Sequence, residues 1–210
     1  MAAGPRPVRR QRDPGRKARI LSAAADLAAR RGFHTIAMAD IGAEAGIVGS
    51  GIYRHFGSKT AILVALLDRV MERIQSGAAG IAATLTDDRE VLSALVRDHI
   101  VVAIEDRSVL AVYHREVHNL PEDDRRRLRR QQRLYLEEWV HALAPLRRDL
   151  ADAEVRVAVH AAIGAIQSTL FFRPGLSDER LAELLLTMAH GCLGVEPAPV
   201  RVSEFAVTDL

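Results

Sequence analysis

AMADIGAEAGIVGSGIYRHF, residues 37–56, is the stretch whose reading decides the fold. Met38, Ile41 and Ala45 fall at i, i+3 and i+7, an apolar stripe that predicts a short helix over 37–45, and Gly46 follows where a helix end favours positive φ. Ile47 then plugs the corner. Residues 50–56 predict a second short helix whose Ile52 and Phe56, four apart, face the first. That leaves Tyr53, Arg54 and His55 on display. A phenol, a guanidinium and an imidazole at the end of a short helix reach phosphate oxygens, while residues at its start approach base edges in a major groove. The pair therefore reads as a DNA-binding helix-turn-helix. A plain helical hairpin in a globular core accounts for the stripe and for Gly46, but not for Tyr53, Arg54, His55 and Lys59 crowding one end.

Charge agrees with that reading. Of the 29 Lys and Arg residues, 11 lie in residues 1–60 against 4 of the 27 Asp and Glu, a net of +7, so the remaining 150 residues carry −5. Phosphate neutralisation supplies most sequence-independent affinity for DNA, and the first part of the chain is built for it.

With Gly32 and Phe33 before it and Gly57, Ser58, Lys59 and Ile62 after it, the segment resembles the DNA-binding domain of the TetR family of bacterial one-component repressors. The resemblance covers roughly residues 16–70 and rests on Asp40, Ile41, Glu44, Ala45, Gly46, Tyr53, Phe56, Ser58 and Lys59 in order. There are departures. Ala37 stands where the family commonly has a capping threonine, so a capping bond of about 1 kcal/mol is expected to be missing or supplied by a neighbour. Gly49 and Gly51 weaken the second helix by about 1 kcal/mol each relative to alanine and leave its base-facing end nearly bare. On this reading Ala37, Val48, Gly49, Ser50, Gly51, Tyr53, Arg54, His55 and Lys59 make the DNA-binding surface, with Lys59 as a phosphate anchor.

Residues 1–15 are rich in Pro and Arg without periodicity and read as a disordered basic arm; Arg6, Arg9, Arg10 and Arg12 suit a phosphate strand or a narrow minor groove. A solubilising tail fits the same composition. Ile20, Leu21, Ala24, Leu27 and Ala28 stripe a helix over 16–31 that Gly32 stops. Ser58 is a candidate N-cap for a helix whose seam runs Ile62, Leu63, Leu66, Leu67, Val70, Met71 and Ile74. Residues 77–86 are small and read as a break. Further helices are expected over 87–105, 107–119 and 121–144, the last with Pro121, Glu122, Asp123 and Asp124 in its first turn. Its arginines, Arg125 to Arg133, read as a solvated face paired with nearby carboxylates rather than as a second nucleic-acid patch. No alternating strand pattern is present, so the fold expected is all-α: a three-helix helix-turn-helix domain over 16–62, a helical effector-binding and dimerisation domain over 63–195, and a flexible tail over 196–210.

The last two predicted helices, 153–172 and 178–193, carry a small-residue face (Ala158, Ala161, Ala165, Ser168) and a Leu181, Leu184, Leu185, Met188, Cys192 stripe that suit a four-helix bundle with a symmetry mate. Dimerisation there is also what the resemblance implies. It further implies operator DNA and a small-molecule effector as partners, and no enzymatic activity. Effector contacts are expected from Leu95, His99, Tyr113, His114, Val117, His118, Trp139 and Gln167, and the effector is expected to be largely apolar, an acyl or acyl-thioester compound or one with an acidic end, that end facing Arg115 or His114. His114 and His118 at i and i+4 also suit a metal, with His99 or His160 as a third ligand, in a rival metal-sensing or enzymatic protein. No nucleophile triad, phosphate loop or paired-carboxylate spacing supports catalysis, and no cofactor is expected. One Cys192, no 20-residue apolar run and no visible signal peptide point to a cytoplasmic chain without a membrane span.

Overall fold

The computed structural model describes residues 14–199 apart from Val48 and Arg173. Among them every regular element is helical: α1 (Pro14–Arg31), α2 (Met38–Glu44), α3 (Lys59–Thr84), α4 (Asp88–Glu105), α5 (Arg107–Glu116), α6 (Glu122–Leu143), α7 (Asp152–Gln167) and α8 (Asp178–Leu193), with short 3-10 segments between them. The basic arm lies almost wholly outside the described residues. The chain divides between Ala65 and Leu66 into two units.

In the first unit Ile20, Ala24, Leu27, Ile36, Ile41, Ile52 and Ile62 are at most 2% exposed and form its core. Gly32 (φ +83°) ends α1 and Gly46 (φ +67°) makes the turn after α2, conformations that only glycine adopts without strain. Ala37 caps α2 with no side-chain acceptor, but Asp40 reaches back and accepts from the Ala37 N–H at 2.7 Å. That is the reciprocal half of a capping box; the bond that a threonine hydroxyl would accept from the Asp40 N–H is missing, and that N–H reaches the Ala37 carbonyl at 3.1 Å instead. Thr35 closes its own 3-10 turn instead, donating to the carbonyls of Arg31 and Gly32.

The second helix of the motif departs from expectation. Residues Gly49–Arg54 form a six-residue 3-10 segment rather than an α-helix over 50–56. Two glycines in six residues remove the propensity that would hold a longer α-helix, and burial of Ile52 and Phe56 sets the path instead.

The expected break over 77–86 is confined to its end, because α3 runs unbroken for 26 residues to Thr84 and only residues 85–87 separate it from α4. Gly77 is a packing residue: a Cβ there would stand 2.9 Å from Cγ of Asp98 on α4. Ala78 and Ile81 are buried, and Arg73 of α3 pairs with Asp98 at 3.0 Å. Asp87 caps α4 by accepting from the N–H groups of Arg89 and Glu90, both at 3.0 Å. The first arginines of α6 pair with carboxylates, Arg125 with Glu122, Arg126 with Glu122 and Asp123, and Arg127 with Asp124 and with Asp68 of α3.

Helices α7 and α8 pack most extensively on one another. Gly194 (φ +63°) ends α8, and Arg147 donates to the last carbonyl, Leu193, at 2.9 Å. The stretch after it does not behave as a flexible tail as far as Pro199. Ala198 is 4% exposed, donates to Ser93 Oγ at 2.8 Å and accepts from Arg97 at 3.0 Å, both on α4. Proline spacing hid this, since the anchoring comes from side chains about 100 positions away. Residues 200–210 lie outside the described part. No described helix is long and apolar enough to cross a membrane.

Candidate functional site

Two sites emerge, one in each unit. In the first unit, buried Ile52 and Phe56 turn Ser50, Tyr53 and Arg54 outward, with Tyr53 57% exposed and His55 half-buried beside them. Ala37 is exposed at the start of α2. Val48 lies outside the described residues. Gly51 does not face outward to a groove: a Cβ there would stand 2.8 Å from Cγ2 of Ile47, so its role is to admit Ile47.

Lys59 is engaged within its own unit. Its ammonium donates to the carbonyls of Phe33, His34 and Ile36 at 3.1, 3.1 and 3.0 Å and lies 5.1 Å from the Phe33 ring centroid. All three of its protons point at the segment that joins α1 to α2, so in this structure Lys59 clamps that segment. Lys17, over the Phe56 ring at 5.8 Å, is a basic residue that periodicity alone did not single out.

In the second unit a cavity of about 40 Å³ lies among α3, α4, α5, α6 and α7. His99, Tyr113, His114 and Gln167 line it as expected, joined by apolar Met71, Ile74, Leu110, Leu136 and Ile163 and by Gln132 and Tyr135. Leu95, Val117 and Trp139 are buried but off its wall, Trp139 packing edge-on to the His99 ring at 6.0 Å. His118 is exposed and away from it. Helix α5 ends at Glu116, so His114 and His118 do not share an α-helical face, and Glu116 is itself buried, accepting from Asn119. Among the described residues no three His, Cys, Asp or Glu side chains converge as a metal site. The two polar wall residues missed in sequence, Gln132 and Tyr135, sit on α6 with Leu128, Leu136 and Trp139 at helical spacing; that stripe was there to be read beneath the arginines.

Two family models cover most of this architecture. Residues 20–66 match the bacterial regulatory proteins of the tetR family, and residues 86–190 match the tetracyclin repressor-like C-terminal domain. The chain belongs to the TetR family. Over 111 residues this TetR-family chain is 32% identical to the HTH-type transcriptional repressor KstR2 of Rhodococcus jostii, covering 53% of the chain and 54% of that protein. Over 81 residues it is 35% identical to the HTH-type transcriptional activator FasR of Mycolicibacterium smegmatis, covering 39% of the chain and 37% of that protein. The chain thus spans about half or less of these relatives' own length.

Solved structures share the fold. The ketosteroid transcriptional regulator KstR2 of Mycobacterium tuberculosis superposes with a TM-score of 0.74 at 20% identity, covering 86% of this chain and 95% of that one. AibR, in complex with isovaleryl coenzyme A and operator DNA, gives 0.70 at 21% identity, covering 82% and 97%. The named relatives are regulators of transcription rather than enzymes.

Proposed function

We propose that this TetR-family protein is a homodimeric repressor that binds a palindromic DNA operator and leaves it when a small, largely apolar effector enters the cavity of the second unit. The observation that carries the DNA reading is the outward set Ser50, Tyr53 and Arg54 on a segment pinned from beneath by Ile52 and Phe56, in the part of the chain that holds the +7 charge. Ser50 and Arg54 approach bases and Tyr53 and His55 approach phosphates. Lys59 supports them from behind by fixing the loop at 33–36.

The partner surface for a second copy is the outer face of α7 and α8, where Val157 is 68% and Met188 51% exposed. Large apolar side chains left outward on two adjacent helices suit an isologous contact. KstR2 is a ketosteroid transcriptional regulator and AibR is solved in complex with isovaleryl coenzyme A, which supports an apolar or acyl effector here.

A cavity of about 40 Å³ holds roughly one water, against several hundred Å³ for an organic ligand. An effector must therefore displace wall side chains, and Met71 and Ile74 belong to α3. That helix begins at Lys59 and is unbroken, so movement at Met71 is passed along about 18 Å of helix to the clamp at its start. The effector lowers operator affinity by the ratio of its affinities for the two conformations.

The test is a fluorescence-anisotropy titration of DNA flanking the protein's own coding region, with wild type, Tyr53→Phe and Arg54→Ala. Arg54→Ala is expected to weaken specific binding by about 1–3 kcal/mol and relax sequence preference at one position of each half-site. Equal affinity of all three proteins for this DNA and for random DNA contradicts the reading.

A further inference from the structure

Four polar side chains, one from each of four helices, meet in an unbroken chain on the wall of the cavity. Oη of Tyr135 on α6 lies 3.0 Å from Nδ1 of His99 on α4. Nε2 of His99 lies 3.0 Å from the amide nitrogen of Gln167 on α7, and the amide oxygen lies 3.0 Å from Nε2 of His114 on α5. The chain runs from exposed His114 inward to Tyr135, which is 5% exposed, past His99 at 2%.

Counting protons shows what the inner end offers. With the amide as placed, His114 Nε2–H donates to the Gln167 oxygen, Gln167 N–H donates to His99 Nε2, and His99 Nδ1–H donates to Tyr135 Oη. The chain then leaves the phenol proton of Tyr135 uncommitted. Turning the amide over and shifting both imidazole tautomers reverses every bond, so that Tyr135 donates to His99 and presents lone pairs instead. Both directions satisfy the same atoms. Burial and the neighbouring His114 hold His99 down at about 4, and burial pushes the Tyr135 phenol above its usual range, so neither carries charge at neutral pH.

We propose that the effector buries an uncharged oxygen function, a ketone, ester or thioester carbonyl or a hydroxyl, against Tyr135 at the inner end of this chain, with its apolar remainder on Met71, Ile74, Leu110 and Ile163. This rests on the cavity being the effector site. A carbonyl selects the first direction, in which His99 donates to Tyr135 and the phenol proton is free to donate to the effector, and a hydroxyl that donates selects the reverse, in which Tyr135 offers it a lone pair. Among the described residues a carboxylate finds no cation at that depth: Arg129, whose charge reaches Tyr113, and Arg115, 5.2 Å from the Phe171 ring centroid, are both exposed. Burying it unpaired is costly.

Trp139 is the only tryptophan of the chain and packs edge-on to His99 and to Tyr135, at 6.0 and 6.2 Å between centroids, so its fluorescence reports on the chain. The full-length protein is titrated at neutral pH with octane, 2-octanone, 1-octanol and sodium octanoate. The ketone and the alcohol are expected to bind about tenfold tighter than octane or octanoate. Tyr135→Phe is expected to remove that advantage and leave octane unchanged, and Gln167→Met, at a half-exposed position, is expected to shrink it without touching the inner residues. Octanoate binding as tightly as the ketone, or a ketone-to-octane ratio unchanged in both variants, overturns the proposal while leaving the cavity as a binding site. Failure of all four probes to bind saturably removes the cavity reading itself, and this inference with it.

Discussion

Lys59 and Gly51 show how one residue can carry a different task from the one its position suggests. A lysine beside a DNA-reading segment suggests phosphate binding, yet its three protons meet three carbonyls. Lys59→Ala should therefore cost about 1–3 kcal/mol of stability, from two part-buried charge-assisted bonds and one exposed one, and should lower DNA affinity through loss of folded protein. Thermal melting of the variant checks this; a salt slope reduced by about one unit at unchanged stability would return Lys59 to the phosphates. At Gly51 two effects oppose each other. Alanine gains about 1 kcal/mol of helix propensity, but its Cβ meets Ile47 Cγ2 at 2.8 Å, and overpacking costs about 1–3 kcal/mol. The clash wins, so Gly51→Ala is expected to destabilise. In an Ile47→Ala background, which removes the opposing methyl, the same change should become neutral or favourable, and chemical denaturation of the four proteins of this cycle measures it.

At the scale of elements, boundaries set by local chemistry were legible in the chain. Gly32 and Gly46 ended helices, Ser58 and Asp87 began them, and Ile41, Ile52 and Phe56 formed the inner face of the reading motif. What escaped was set at a distance. Gly77 reads locally as a break, but contact with Asp98 on α4 makes it part of a continuous α3. Tyr135 joins the cavity only because α4, α5 and α7 bring His99, His114 and Gln167 to it, which no single periodicity encodes. The exposed face of α7 and α8 makes its own prediction: Val157→Glu combined with Met188→Glu should shift the protein from dimer to monomer in sedimentation velocity. Both positions are over half exposed, so the monomer should keep its helical circular dichroism. A dimer that persists unchanged places the interface elsewhere.

For the whole molecule, burial of His99 ties stability to pH. Its folded value of about 4 lies below the ordinary 6.5, so the unfolded chain binds the extra proton first. Stability is therefore full above about pH 6.5 and falls as pH drops toward 4, by roughly 3 kcal/mol across the window. Denaturation midpoints through that range should show the loss, and His99→Gln, which has no such proton to bind, should flatten it. The claim on which everything else rests is that two copies of the Gly49–Arg54 segment read successive grooves of one DNA duplex. The direct measurement is a footprint on the DNA flanking the protein's own coding region. Two protected patches related by a twofold axis and centred about 34–36 Å apart, one turn of duplex, are the predicted result, both lost in Tyr53→Phe/Arg54→Ala. Protection that survives that double substitution unchanged, or a single patch without a symmetric mate, would contradict it.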